Sequence, residues 1–261
     1  MGEADRELVL ERISGLAILR LNRPASLNAL SPDILERLGE EIPALVAAPD
    51  VRAIMITGTG RAFCAGGDVR RMEGSGDAET TLAGMRSYHG WLTALRYAEK
   101  PVIAAVNGAA AGGGFGLALI ADLVVASEDA FFKAAFTQLG AAADYALAFT
   151  LPRLVGGARA AEILFSDRRI TAREALDIGM IASVFPSASF ADDAKAFALR
   201  LAASSRGVQL TKRLLRSSER EAFRQYLETE ARTQSEAFQS DDFREGVSAF
   251  IEKRAPVFRG C

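Results

Sequence analysis

The sequence predicts an α/β protein with a helical C-terminal region, and three observations carry that prediction. Two continuous apolar runs, residues 51–57 and 102–106, read as strands covered on both faces, as in a parallel sheet. Around them apolar residues recur at helical spacing, giving an approximate β-β-α rhythm through the first half. After Gly156-Gly157 the chain reads as helical nearly to its end. The expected division is a core over 1–198 and a helical region over 199–261.

Residues 15–22 form the first predicted strand, ended by Arg23-Pro24. Ser31-Pro32-Asp33 then opens a helix with an N-cap hydroxyl and proline at its first position. Its stripe runs through Ile34, Leu35, Leu38, Ile42, Leu45 and Val46, and Pro43 inside it predicts a kink or an early stop. The strand over 51–57 is turned by Gly58-Thr59-Gly60. The small residues of 61–68 predict a tight loop with no regular element. Residues 74–81, polar and containing Gly and Ser, predict a mobile loop before a helix over 82–97 that carries His89 and Trp91.

The stretch 101–122 has no charge between Lys100 and Asp122. About 20 apolar residues suffice to cross a bilayer, but the Asn107-Gly108 turn signal and the Gly112-Gly113-Gly114 triplet argue against one continuous helix. A buried strand, a glycine-lined turn and a new helix from about Gly114 is the better reading. Such a junction aims bare backbone N–H groups, backed by the helix dipole, at whatever lies above it. It lacks the Lys-Ser/Thr of a phosphate loop, because Phe115-Gly116 follow, and Leu117 replaces the third glycine of a dinucleotide fingerprint. Close helix–strand packing explains the glycines equally well.

Strands follow at 123–126 and 130–134. Between Ala134 and Leu151 the one acidic residue is Asp144, costly to bury unless it is paired, capping or functional. A helix expected over 145–154 would make it an N-cap, and that role is compatible with catalysis. Helices are expected over 158–165, from the capping box Thr171-Ala172-Arg173-Glu174 to Gly179, and near 189–203, 207–217, 219–239 and 242–254, with a short strand at 181–185. The last four look like a packing or subunit-contact appendage.

Composition bounds the function. The chain has 261 residues, 49% hydrophobic content and a net charge of −2, enough to bury a large core and without the basic excess of a nucleic-acid binder. The charged first residues lack the apolar core of a signal peptide, predicting a cytoplasmic protein with no membrane association. Cys64 and Cys261 offer neither a disulfide framework nor metal spacing, and the single histidine excludes a histidine-rich metal site.

Five segments in order, LNRPASLNAL at 21–30, AFCAGGDV at 62–69, KPVIAAVNGAAAGGGFG at 100–116, LPRLVGGARAAEIL at 151–164 and EGVSAFIEKRAPVF at 245–258, resemble the crotonase superfamily, the enoyl-CoA hydratase/isomerase group. The resemblance spans essentially the whole chain. It implies a spiral of β-β-α units with a C-terminal helical trimerisation region, assembled as a homotrimer or a dimer of trimers. It implies an acyl-CoA thioester substrate, whose carbonyl oxygen meets the backbone N–H groups of Gly67 and Gly113 in an oxyanion hole. No separate cofactor and no metal are implied, coenzyme A being part of the substrate. Ala65, Asp68, Val69 and Arg70 match the loop beside the adenosine part of CoA. Phe250 and Lys253 match C-terminal residues that reach CoA, expected to do so across a subunit contact.

The departures are as informative as the matches. Gly116 and Phe136 occupy the motif positions of the two hydratase glutamates, so classical hydration lacks its acid–base pair. Phe136 remains a candidate for lining the acyl site. Asp144 matches the acid of the enoyl-CoA and ring-epoxide phenylacetyl-CoA isomerases, although Ala143 and Tyr145-Ala146-Leu147 replace the usual proline and glycines around it. The expected function is therefore proton or double-bond shift with Asp144 as single acid/base. Asp144 and His89 also match the nucleophile and water-activating histidine of chlorobenzoyl-CoA dehalogenase, giving a dehalogenase-like or hydrolytic alternative. A CoA-ester-binding protein without chemistry is a third.

Overall fold

The protein is described by a computed structural model covering residues 6–72 and 76–261. Its strands form two sheets. β1 (Leu8–Ile13), β2 (Leu16–Leu21), β3 (Ala53–Gly58), β5 (Val102–Val106), β7 (Leu123–Ser127) and β10 (Ser183–Phe185) lie side by side in that order, all parallel except the β1–β2 hairpin. β4 (Ala62–Cys64), β6 (Ala109–Ala111), β8 (Phe131–Lys133) and β9 (Arg169–Thr171) make the second sheet, in which only β9 runs antiparallel. The pairs β3/β4, β5/β6 and β7/β8 each send one strand to either sheet, the repeat of the expected spiral.

The corners between paired strands nest into one another. Asn107, between β5 and β6, accepts from the Gly58 N–H at 3.1 Å and donates to the Gly60 carbonyl at 2.8 Å. Asn28 is wholly buried and donates to the carbonyls of Thr59 and Ala62 at 2.9 and 2.7 Å. These side chains replace water for backbone groups that a corner would otherwise leave unpaired.

Every residue of β3 and β5 is buried, as their unbroken apolar runs require. One face of the large sheet packs against α1 (Pro32–Ala47), α2 (Ala78–Tyr97) and α3 (Gly113–Ile120) through residues such as Ile34, Leu38, Leu92, Leu95 and Phe115. The opposite face, with Ile18, Met55, Ile103 and Val125, is covered by Phe190, Ala194 and Ala198 of α7 (Phe190–Ala202). The boundary expected at 198/199 therefore falls inside a core helix, and the helical region begins with α8 (Arg206–Arg216), followed by α9 (Arg220–Gln239) and α10 (Asp241–Glu252).

Several elements differ from expectation for identifiable reasons. α1 continues through Pro43 to Ala47, because the stripe Ile34, Leu38, Ile42 and Leu45 stays buried on both sides of the proline. α2 begins at Ala78, where Asp77 accepts from the Thr80 N–H at 2.8 Å, so residues 78–81 are helical; Gly74 and Ser75 lie outside the described residues. The segment expected to hold no regular element contains β4, and the glycine-lined turn after Asn107 contains β6. Half of the capping box forms: Thr171 Oγ1 accepts from the Glu174 N–H at 3.2 Å at the start of α6 (Ala172–Asp177), while the Glu174 carboxylate is taken by Arg168. Among the described residues no helix is long and apolar enough to cross a membrane.

Candidate active site

The two glycine segments of the sequence meet in space. Gly66 is at φ +90° and Gly112 at φ +52°, a region that β-carbons disfavour, and a Cβ on Gly66 would lie 2.9 Å from the Ala111 carbonyl oxygen and 3.1 Å from the Gly113 nitrogen. Loop 65–68 is held from its other side: Ala65 N–H donates to the Leu27 carbonyl at 3.0 Å, and Leu30 N–H donates to the Gly66 carbonyl at 2.8 Å. Gly114 gives the closeness on the helix side, since a Cβ there would sit 2.2 Å from the Cys64 carbonyl oxygen. Among the described residues, neither the Gly67 N–H nor the Gly113 N–H has a protein acceptor, and Gly113 is the first residue of α3, at the positive end of its dipole.

Asp144 comes to the same place. A Cβ on Gly113 would lie 2.8 Å from the Tyr145 ring and 3.5 Å from Asp144 Oδ1. Oδ1 is enclosed and has no hydrogen-bond partner, while Oδ2 accepts from Gln234 Nε2 at 3.3 Å. Burial lifts the pKa of this carboxyl well above the ordinary carboxylate range, and the nearby Glu230 carboxylate lifts it further against the smaller opposing effect of Gln234. The expected capping role fails. α4 spans Leu147–Val155 with Ala146 as its N-cap, and only the main-chain carbonyl of Asp144 is used, accepting from the Leu147 N–H at 3.0 Å. Tyr145 and Ala146 both adopt left-handed backbone, at φ 51° and 55°, which turns the chain away from the helix axis before α4 begins. The side chain of Asp144 is thereby free of the helix end.

Asp144's wall is built by α2 and α9. Tyr88 on α2 stacks on Tyr145 with ring centroids 4.5 Å apart and planes 6° from parallel. His89, also buried, points Nε2 at Glu230 Oε1, 3.3 Å away but out of hydrogen-bond alignment, and not at Asp144. Glu230 Oε2 accepts from the Ala146 N–H at 2.9 Å. Gln234, one turn along α9, accepts from the Ala142 N–H at 2.8 Å through its carbonyl oxygen. Sequence reasoning missed both α9 residues. Their signal was present: they interrupt a buried stripe of Phe223, Leu227 and Ala231 with polar side chains that need partners.

The remaining expected residues divide. Ala65 belongs to the loop just described. Asp68 is tied by Arg23 Nη1 at 3.2 Å, and Arg23 also reaches Glu7 Oε1 with Nε at 2.9 Å and the Ala29 carbonyl at 2.9 Å. Val69 and Arg70 sit in the 3-10 turn Val69–Arg71 that follows. Phe136 is buried in the main core before the 3-10 turn Thr137–Leu139. Phe250 and Lys253 are exposed at the end of α10. That helix packs on the Val69–Arg71 turn of its own chain, next to the glycine loop. Cys64 is no nucleophile here: burial pushes its thiol up to about 12.

Comparison with known proteins agrees with this architecture. Residues 11–261 match the family described as "Enoyl-CoA hydratase/isomerase". The chain is 40% identical to a probable enoyl-CoA hydratase of Rhodobacter capsulatus, over 94% of this chain and 95% of that one. It is 37% identical to the 1,2-epoxyphenylacetyl-CoA isomerase of Escherichia coli, over 97% and 99% of the two chains. Among solved structures, an enoyl-CoA hydratase from Mycobacterium avium subsp. paratuberculosis superposes with a TM-score of 0.88 at 29% identity, covering 97% of this chain and 98% of that one. With the two-sheet spiral and its paired glycine segments, these matches make the chain a crotonase-fold member of the enoyl-CoA hydratase/isomerase family.

Proposed function

We propose that the protein is an acyl-CoA isomerase in which Asp144 is the single acid/base. The observation that carries this reading is the unpartnered Oδ1 of Asp144 beside Gly113, with glycine at 116 and phenylalanine at 136 where the hydratase motif has its glutamates. In the proposed reaction the thioester carbonyl oxygen accepts from the N–H groups of Gly67 and Gly113. Asp144 carboxylate takes a proton from the carbon beside that carbonyl, the electron pair moves onto the oxygen as a dienolate, and the same carboxyl returns the proton two carbons away as the double bond moves into conjugation. No atom is gained or lost. Two donors aimed at the developing charge lower the barrier because they are already in place. A base with a raised pKa is also a stronger proton acceptor once ionised.

The likeness to the E. coli 1,2-epoxyphenylacetyl-CoA isomerase supports the isomerase direction. The test is a panel of unsaturated and aryl CoA thioesters, a ring-epoxide ester included, followed for double-bond migration, hydration and hydrolysis with the parent chain and Asp144→Asn. The expected result is migration by the parent, lost about 10²–10⁴-fold in the variant, with CoA-ester binding retained. Indifference to the substitution would mean a binding protein without chemistry. A covalent acyl or aryl adduct on Asp144 would mean the dehalogenase-like route.

A further inference from the structure

We propose that Gln234 and Glu230, on adjacent turns of α9, are positioning residues for Asp144: Gln234 fixes which carboxyl oxygen faces the substrate, and Glu230 holds the loop and places a second carboxyl group beside the acid. The inference rests on Asp144 being the acid/base of the proposed isomerisation.

The geometry assigns each residue a separate task. Gln234 is itself oriented, because its carbonyl oxygen takes the Ala142 N–H at 2.8 Å. Its amide therefore has to point at Asp144, where Nε2 meets Oδ2 at 3.3 Å. With Oδ2 occupied, Oδ1 alone is left unpartnered, on the Gly113 side. One oxygen is an anchor and the other is free to carry a proton.

Glu230 acts on the backbone and through space. Its Oε2 takes the Ala146 N–H at 2.9 Å, in the two-residue left-handed segment that follows Asp144. A left-handed Tyr145-Ala146 pair is unfavourable alone, and a buried hydrogen bond to its amide favours it. The same carboxylate is buried beside Asp144, and two like charges in one enclosed space resist ionisation together. His89 Nε2 lies 3.3 Å from Glu230 Oε1. The other titratable groups facing the pair are Tyr88 on α2, Tyr226 on α9 and Tyr145 in the loop, with Cys64 behind Tyr145. All four are pushed up by burial and stay neutral.

The test measures kcat and KM against pH for Glu230→Gln and Gln234→Leu. Glu230→Gln keeps an oxygen for the Ala146 N–H and removes the charge, so the acid limb of the kcat profile should move to lower pH by about one unit, with KM for the CoA ester within about twofold. Gln234→Leu frees Oδ2, so kcat should fall about tenfold or more with KM again nearly unchanged. An unshifted limb in Glu230→Gln, or equal losses in kcat and KM in Gln234→Leu, would overturn the assignment. So would a fall in melting temperature as the sole effect of both substitutions. If Asp144→Asn turns over normally, the isomerase reading itself fails; if it is inactive while both α9 variants behave like the parent, only the positioning roles fail.

Discussion

A Cβ added to Gly116 would lie 2.5 Å from the Cβ of Tyr145 and 2.8 Å from its carbonyl oxygen. The loop carrying Asp144 thus rests directly on the helix position where the hydratase motif has its first glutamate. Presence of the acid at 144 in this geometry and absence of a side chain at 116 are one structural choice. Gly116→Ala should destabilise the fold by about 2–3 kcal/mol, since the obstacle is partly backbone and cannot turn aside. For a chain of this size that means roughly 2–4 °C in melting temperature for each kcal/mol. Gly116→Glu should displace the Asp144 loop and yield no hydratase activity in a hydration assay.

Asp144 itself should show opposed effects on stability and turnover. Burial raises its folded-state pKa, so the native chain holds that proton more tightly than the unfolded chain does. The contribution of this group to stability is complete below the unfolded pKa and is lost as pH rises through the folded one. Asp144→Asn, which keeps an oxygen for Gln234, should therefore be more stable than the parent by about 1–2 kcal/mol at pH 8. The difference should shrink toward zero near pH 4. Chemical denaturation at the two pH values reads this directly.

β3 and β5 were legible because a strand buried on both faces must be apolar throughout, and α9 and α10 because their stripes repeat at helical spacing. Three-residue strands such as β4, β6 and β9 have no period to read and exist only because the neighbouring strand supplies their hydrogen bonds. β1 escaped for another reason: its outer half, Glu11 to Ile13, is exposed at the sheet edge and carries no apolar run. At the candidate site, Gly67, Gly113 and Asp144 were singled out through motifs. Glu230 and Gln234 were not, because their meaning depends on α9 folding back across more than eighty residues to reach the Asp144 loop.

The hairpin between β1 and β2 offers a test of local backbone physics away from the site. Ile13 pairs with Leu16, leaving Ser14 and Gly15 as a two-residue loop with φ of 48° and 81°. Positive φ at both central residues is the turn that favours Asn-Gly. Ser14→Asn should stabilise by about 0.5 kcal/mol, because asparagine tolerates that region better. Gly15→Ala should destabilise by about 1 kcal/mol or more. A rise in melting temperature for the first and a fall for the second would be the expected pair.

Arg23 links the first strand to the glycine loop, and its removal should separate binding from chemistry. Its guanidinium joins Glu7, Asp68 and the Ala29 carbonyl with little exposure of its own side chain. Arg23→Met keeps much of the apolar stem but leaves Glu7 without its cation and Asp68 with only the exposed Arg71, whose Nε is 3.7 Å away. Partly buried charges deprived of a partner cost about 1–3 kcal/mol. The loss falls on loop 65–68, whose Gly67 N–H is a proposed thioester donor and whose continuation, Val69 and Arg70, is proposed to bind the adenosine end of CoA. KM for the acyl-CoA should rise several-fold while the acid limb of the kcat profile, assigned by our proposal to Asp144 and Glu230, stays where it is. A shift of that limb with unchanged KM would place Arg23 in the chemistry and contradict its assignment to the loop.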